Sequence, residues 1–304
     1  MQSILLIGVI IIIVAIIIWS QPLYKPKKIW TFWDNPDSMP RTVTKCIERM
    51  RLHNPLDEVI LLTKKNFKGY VTIPEELITH PNFNDMPARF ADLVRIWVLA
   101  EHGGIWVDSS IIVNESFDWV FPWFSEDIEF SGFYIDESTN HISNGVEIEE
   151  RNLIPVIENW FFACKKGSPF VRMWRDEFSM IGQFPSVHHY LKSRVKKGVD
   201  IQKITKSTYF AMHISAQTVL QINRYPIHTL LLRKAEDGSI LNPKWEWFMC
   251  KPVAPFRYLV AAKWNSIKAL EGACVYGKEV MVKIRGTDRN ELEKRDDLID
   301  CLLD

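Results

Sequence analysis

Phe90-Ala91-Asp92-Leu93-Val94-Arg95, followed five residues later by Glu101-His102-Gly103-Gly104-Ile105-Trp106-Val107-Asp108-Ser109-Ser110, decides how this chain is read. Phe90, Leu93, Val94 and Trp97 fall at i, i+3, i+4 and i+7, the stripe that a helix turns toward a core. Asp85 is a candidate N-cap for that helix, with Pro87 in its first turn. Gly103 suits the left-handed position that ends it. Ile105 to Val107 is then a short apolar strand, and Asp108 stands where the strand ends. Ligands in open α/β sheets bind beyond the carboxyl ends of strands, so position alone makes Asp108 a site candidate. Asp92 and Arg95, three apart on a neighbouring helix face, bring their side chains close together.

The flanking sequence supports an α/β fold. Lys28 to Trp33 is β-branched and aromatic, and Asp34-Asn35-Pro36 ends it, which reads as a first strand. Met39 to His53 reads as a helix with Pro40 near its start and Val43, Ile47 and Met50 on one face. Glu58 to Thr63 is a second buried strand. Strand, helix and strand at this spacing predict a mixed, mainly parallel sheet flanked by helices. Asn159 to Cys164 is a further strand, and Ser168-Pro169 opens a helix carrying Phe170, Trp174, Phe178 and Ile181. Tyr209 to His213 precedes a helix over Ser215 to Ile222. Asp288 with Glu291 suggests a capping box for a last helix bearing Leu292, Leu298 and Leu302.

The chain has 304 residues, with 37 Lys+Arg against 37 Asp+Glu. This balance gives no support to nucleic-acid binding. Five Cys occur (Cys46, Cys164, Cys250, Cys274, Cys301), none in CxxC spacing. A zinc site or dense disulfide framework is therefore disfavoured, and reduced thiols fit best, with one or two disulfides compatible. Ile4 to Trp19 is uninterrupted and apolar within an uncharged stretch from Met1 to Tyr24. A membrane span needs about 20 residues, so residues 1–24 read as a transmembrane anchor and residues 25–304 as one catalytic domain. A cleaved signal peptide would have basic residues before the run and a small-residue cleavage site after it, and neither is present. Lys25, Lys27 and Lys28 after the span favour a cytosol-facing domain, with the Golgi lumen as the alternative. The sequon Asn114-Glu115-Ser116 would matter only in the luminal case.

Asp108-Ser109-Ser110 offers hard oxygen atoms at a strand end, the ligand type that Mg²⁺ or Mn²⁺ takes when bridging a diphosphate. Asp92 can accept hydrogen bonds from sugar hydroxyls, and Arg95 presents a planar fork that also fixes the carboxylate. Together with Lys27 to Trp33, Asn159-Trp160-Phe161 and Gly167-Ser168-Pro169-Phe170, these runs resemble the capsular polysaccharide synthesis proteins. Those proteins are related to the family 32 glycosyltransferases with a DXD sugar-binding region. The resemblance covers about 150 residues and fades beyond position 215 or so. It implies a GT-A-type, Rossmann-like fold, a UDP- or GDP-sugar donor, a divalent cation (Mn²⁺ or Mg²⁺) and retention of anomeric configuration. Carried over by position, Trp33 would stack on the nucleotide base, Asp92 and Arg95 would hold the donor sugar, and Asp108 would contact ribose or sugar and help to place the metal. Ser110 stands where the second Asp of DXD is usual, and a hydroxyl is the poorer metal ligand.

His213 is a weaker candidate, as a base, a phosphate contact or a late metal ligand. Asn144, Glu147, Glu149 and Glu150 form a polar loop that could close over a donor. No residue can be named as a nucleophile. The expected function is a membrane-anchored glycosyltransferase acting on a glycan, polysaccharide or lipid-linked acceptor. The rival is a non-catalytic carbohydrate- or nucleotide-sugar-binding protein on the same fold.

Overall fold

The computed structural model describes residues 26–120, 127–135, 154–202, 204, 208–235, 281–284 and 286–303. Strands β1 (Lys28–Phe32) and β2 (Glu58–Leu62) pair in parallel from Lys28↔Glu58 to Phe32↔Leu62. Helix α1 (Arg41–His53) joins them, burying Val43, Cys46, Ile47 and Met50. It starts two residues later than the sequence suggests, because Pro40 is extended (ψ 147°) and lacks an N–H to donate. On the other side of β1 lies β3 (Gly104–Val107), also parallel, with Trp30 opposite Trp106.

The remaining strands make the sheet mixed. β6 (Val156–Cys164) runs antiparallel to β3 and to β5 (Phe130–Ile135), and β7 (Leu230–Lys234) is parallel to β5. The order is β2-β1-β3-β6-β5-β7. Three of its five pairings are parallel, in keeping with the expected mixed, mainly parallel sheet; both antiparallel pairings involve β6. A second, two-stranded sheet pairs β4 (Ile111–Val113) with β8 (Met281–Lys283).

Strand residues alternate between two cores. Trp30, Trp106, Phe162 and Cys164 face one, while Ile29, Ile105, Val107 and Ala163 face the other. The first core is covered by α2 (Pro87–His102), α3 (Pro169–Ser179) and α5 (Ala211–Gln221); α4 (Val187–Lys196) packs against α5. The stripe Phe170, Trp174, Phe178 and Ile181 is buried as expected. Ser168 caps α3 by accepting from the Val171 N–H (3.2 Å) and donates to Glu129 (2.6 Å).

Helix α2 is buried over most of its circumference, including Asp92 and Arg95, whereas Trp97 is only half-buried. Its N-cap is Met86 without a side-chain cap bond, and Asp85 instead ends the short helix Pro81–Asn84. Gly103 has φ 67° but ψ −160°, because the chain passes directly into β3 rather than through a left-handed turn. A Cβ at Gly103 would lie 2.4 Å from the Lys166 nitrogen, and Gly104 also has positive φ (101°). The Trp30 indole donates to the Gly103 carbonyl (2.9 Å), so the corner is fixed to the centre of the sheet.

Two expectations near the C-terminus are corrected. Helix α5 starts at Ala211, so His213 lies inside it rather than before it. The last helix is two, α6 (Gly286–Leu292) and α7 (Asp296–Leu303), and Asp288 lies within the first instead of capping the second. Leu292, Leu298, Ile299 and Leu302 pack with Cys46, Ile112 and Val282 in a third core. Arg41 holds this unit to α1 through Asp296 and Asp300 (2.7 Å to the latter).

Cys46 and Cys164 are free and buried, and burial pushes the Cys46 thiol up to about 12. Cys301 is disulfide-bonded, within the one or two disulfides that the sequence left open. Among the described residues no helix is long and apolar enough to cross a membrane; Ile4 to Trp19 and the loop of Asn144, Glu147, Glu149 and Glu150 lie outside them.

Gly103→Ala should lower stability by more than about 1 kcal/mol, since both the positive φ and the Lys166 backbone oppose a Cβ. Thermal unfolding of the full chain in detergent checks this; an unchanged midpoint would contradict the corner as described. Thiol titration of the unfolded, unreduced chain should find fewer than five thiols, and the folded chain should leave Cys46 and Cys164 unreactive.

Candidate functional site

Period-two alternation in β3 puts Trp106 and Asp108 on the same face, and the Trp106 indole donates to Asp108 Oδ1 (2.9 Å). Helix α2 arrives from that side carrying Asp92 and Arg95 three residues apart. Arg95, 4% exposed, lies between the two carboxylates. Its Nη1 is 3.0 Å from Asp92 Oδ1 and donates to the Asn159 carbonyl (2.7 Å), while Nη2 donates to Asp108 Oδ1 (2.8 Å). The guanidinium also lies 4.7 Å over the Trp106 ring. Asn159 closes the circle by donating its amide to Asp92 Oδ1 (2.9 Å).

This geometry divides the work between the expected residues. The Arg95 fork is occupied by protein groups and fixes the carboxylates. Asp92 and Asp108 each keep a second oxygen that takes no hydrogen bond from a described residue. Burial raises the Asp92 carboxyl above its usual range, against the opposing pull of Arg95 and His213.

A second charged group faces the first. Strand β6 is irregular here: Gly132 pairs with Phe162 but Tyr134 with Ile157, so two steps along β5 match five along β6. Such a bulge re-aims side chains, and this one contains both Glu158 and Asn159. Glu158 is buried and lies 3.3 Å from His213 Nε2, whose ring meets Phe210 edge-on (centroids 4.9 Å). His213 Nδ1 is buried with no partner among the described residues. Burial alone would raise the Glu158 carboxyl, but the His213 hydrogen bond and the Lys283 charge outweigh it and hold it below the usual range. Lys283, from β8, sits 5.1 Å over the Trp160 ring. Its ammonium is shifted down by burial, partly offset by Glu158 and Asp108.

The structure therefore brings together Asp92, Arg95, Asp108 and His213, and adds Asn159, Glu158 and Lys283, to which sequence reasoning gave no role. Asn159 was visible in a family-like run, and Glu158 immediately precedes it. Lys283 had no signal. Trp33 lies at the same sheet edge, half-buried, with Arg289 of α6 at 5.0 Å over its ring.

The expected cation ligands fit a divalent ion poorly. Asp108 Oδ1 is committed to Arg95 and Trp106. The Ser110 hydroxyl donates to the Ile284 carbonyl (3.1 Å), and the Ser110 carbonyl accepts from the Ile284 N–H (3.1 Å). Among the described residues no group of three or more His, Cys, Asp or Glu could hold a metal.

A family model described as capsular polysaccharide synthesis protein matches residues 19–218. The O-glycosyltransferase braB of Annulohypoxylon truncatum is 30% identical over 182 residues, 54% of this chain and 40% of that protein, so the chain spans less than half of that relative's length. Among solved structures, a glycosyltransferase involved in glycosylation of the major capsid of PBCV-1 aligns at TM-score 0.42 and 11% identity, over 89% of this chain and 98% of its own. The PaToxG glycosyltransferase aligns at TM-score 0.35 and 12% identity, over 65% and 87%.

Removing Arg95 leaves two crowded carboxylates without their counter-charge. Arg95→Met should cost about 3–5 kcal/mol at neutral pH, the penalty for breaking a buried ion pair. Arg95→Lys should recover only part, because a point charge cannot serve both forks. The deficit should narrow as pH falls and Asp92 takes up its proton. Thermal unfolding between acid and neutral pH measures this; a loss below about 1 kcal/mol would show that the pair is solvated.

Proposed function

The chain belongs to the capsular polysaccharide synthesis protein family, and from that premise we propose a membrane-anchored glycosyltransferase of GT-A type. It moves a sugar from a UDP- or GDP-sugar to a glycan, polysaccharide or lipid-linked acceptor. The observation that carries the reading is the Arg95-centred pair of carboxylates at the carboxyl end of β3, each with an oxygen left for a ligand. The similarity to an O-glycosyltransferase of Annulohypoxylon truncatum is consistent with it.

In this reading Asp92 accepts hydrogen bonds from the donor sugar, and Asp108 from ribose or sugar hydroxyls. Arg95 positions both. Trp33 stacks on the base, with Arg289 supporting its ring. The bond from the anomeric carbon to the phosphate oxygen breaks, and its electron pair leaves with the diphosphate. The acceptor oxygen bonds to that carbon and its proton passes to the released diphosphate. The resemblance to retaining enzymes favours retention of configuration. Catalysis is electrostatic, through fixed charges where the leaving group gains charge.

Residues 4–19 provide the anchor, as a near-continuous apolar run. The Cys301 disulfide favours the oxidising side of the membrane over the cytosol. Lys27, which suggested the opposite, is held 3.3 Å from Asp57 and beside Asp118, a role in the fold rather than at a membrane surface. The engagement of Ser110 with Ile284 is the one observation favouring the rival, a non-catalytic sugar-nucleotide binder.

Nucleotide release from a panel of UDP- and GDP-sugars, by the full chain in detergent, separates the two. At least one donor should be turned over. Asp92→Ala and Asp108→Ala should each lower kcat/KM by about 10²-fold or more. Binding of a donor without release would support the rival, and indifference to both substitutions would remove the site assignment.

A further inference from the structure

A diphosphate bound at this site would leave its charge unbalanced. A diphosphate entering this pocket meets Asp92, Asp108 and Glu158, and the Arg95 charge is already shared between the first two. A cation must face it. Ser110, with its hydroxyl tied to Ile284, contributes no carboxylate toward a metal.

Lys283 stands in the right place. It is the last residue of β8 and pairs with Ile111, three residues beyond Asp108. The adjacent Ile284 is bonded on both sides to Ser110, which fixes the backbone next to Lys283 against the DXD-like turn. Its ammonium lies 5.1 Å over Trp160 and forms no hydrogen bond or ion pair with any described residue. The groups that act on it electrostatically include those of the donor site, namely Glu158, Asp108, Arg95 and Asp92. A half-buried cation with three free donors is the type of group that binds phosphate as a point charge.

We propose that Lys283 binds the diphosphate of the nucleotide-sugar donor, supplying beside Asp108 the positive charge that a metal on a second DXD aspartate would supply. Glu158, held by His213, acts on the Lys283 charge without pairing with it. Lys283 is thus a donor-binding residue. The proposal rests on the donor-site reading, and its substrate class is the nucleoside diphosphate.

Calorimetric titration of the full chain in detergent with UDP and GDP tests it, in EDTA and again in Mn²⁺. One nucleotide should bind with EDTA present, and Mn²⁺ should change its affinity little. Lys283→Met should weaken that binding by about tenfold or more, and Lys283→Arg should largely restore it. Binding of the corresponding nucleoside, uridine or guanosine, should be the same in all three proteins. In the unsubstituted chain, the bound nucleotide should protect Lys283 from acetylation, read by peptide mass spectrometry, which keeps the test independent of whether Lys283→Met folds. Wild-type affinity in Lys283→Met, binding only with Mn²⁺, or unprotected Lys283 would each overturn the proposal while leaving the donor site standing. Failure of both nucleotides to bind in either condition would remove the donor reading, and this proposal with it.

Discussion

A guanidinium buried between two carboxylates constrains everything around it. Arg95 cannot give up its charge, and a charge of its kind inside a protein needs partners where water has left. Asp92, Asp108 and the Asn159 carbonyl partner its two Nη groups, while Nε is buried with no partner among the described residues. They come from a helix, a strand end and an antiparallel neighbour strand, so satisfying Arg95 fixes how α2 lies on the sheet and where β3 stops. The Trp106 ring beneath the guanidinium and its indole bond to Asp108 leave little freedom for either residue. Rigidity of this kind is what a donor site needs, because a carboxylate already held in place loses little entropy when it accepts a ligand.

The irregularity in β6 is the second device. In a regular strand Glu158 and Asn159 would point to opposite faces. Three extra residues on β6 relative to β5 let Asn159 complete the Arg95 circle and Glu158 meet His213 of α5. The result is two adjoining charged groups of different character. One is two carboxylates sharing the single charge of Arg95; the other pairs acid with imidazole and leaves an ammonium over an aromatic ring.

Much of this was legible in the sequence where the causes are local. The apolar period of α2, the glycines ending it and the strand beyond gave Asp92, Arg95 and Asp108 as neighbours, since helical spacing and a strand end require no knowledge of the rest of the chain. What failed to show was whatever depends on distant packing. An i,i+3 ion pair looks the same in a sequence whether it is solvated or, as here, buried. Asp85 had the chemistry of a cap, but a short helix ends on it first. His213 follows an aromatic run, and nothing local marks Ala211 rather than Ser215 as the start of its helix. Lys283 meets the site only because β8 pairs with β4, and nothing in Met281-Val282-Lys283 announces that pairing.

That pairing has a consequence for how the molecule is made. Ser110 and Ile284 are 174 positions apart, yet they exchange hydrogen bonds at the heart of the charged cluster. During synthesis the Arg95 circle can form once β6 has left the ribosome, while the Lys283 side of the pocket must wait until nearly the whole chain has emerged. The closing contacts also have a long loop to close, which makes them slow and late. On the proposed function, a nascent chain would hold its carboxylates in place well before it could counter the charge of a phosphate, and would gain activity only once β8 has paired with β4.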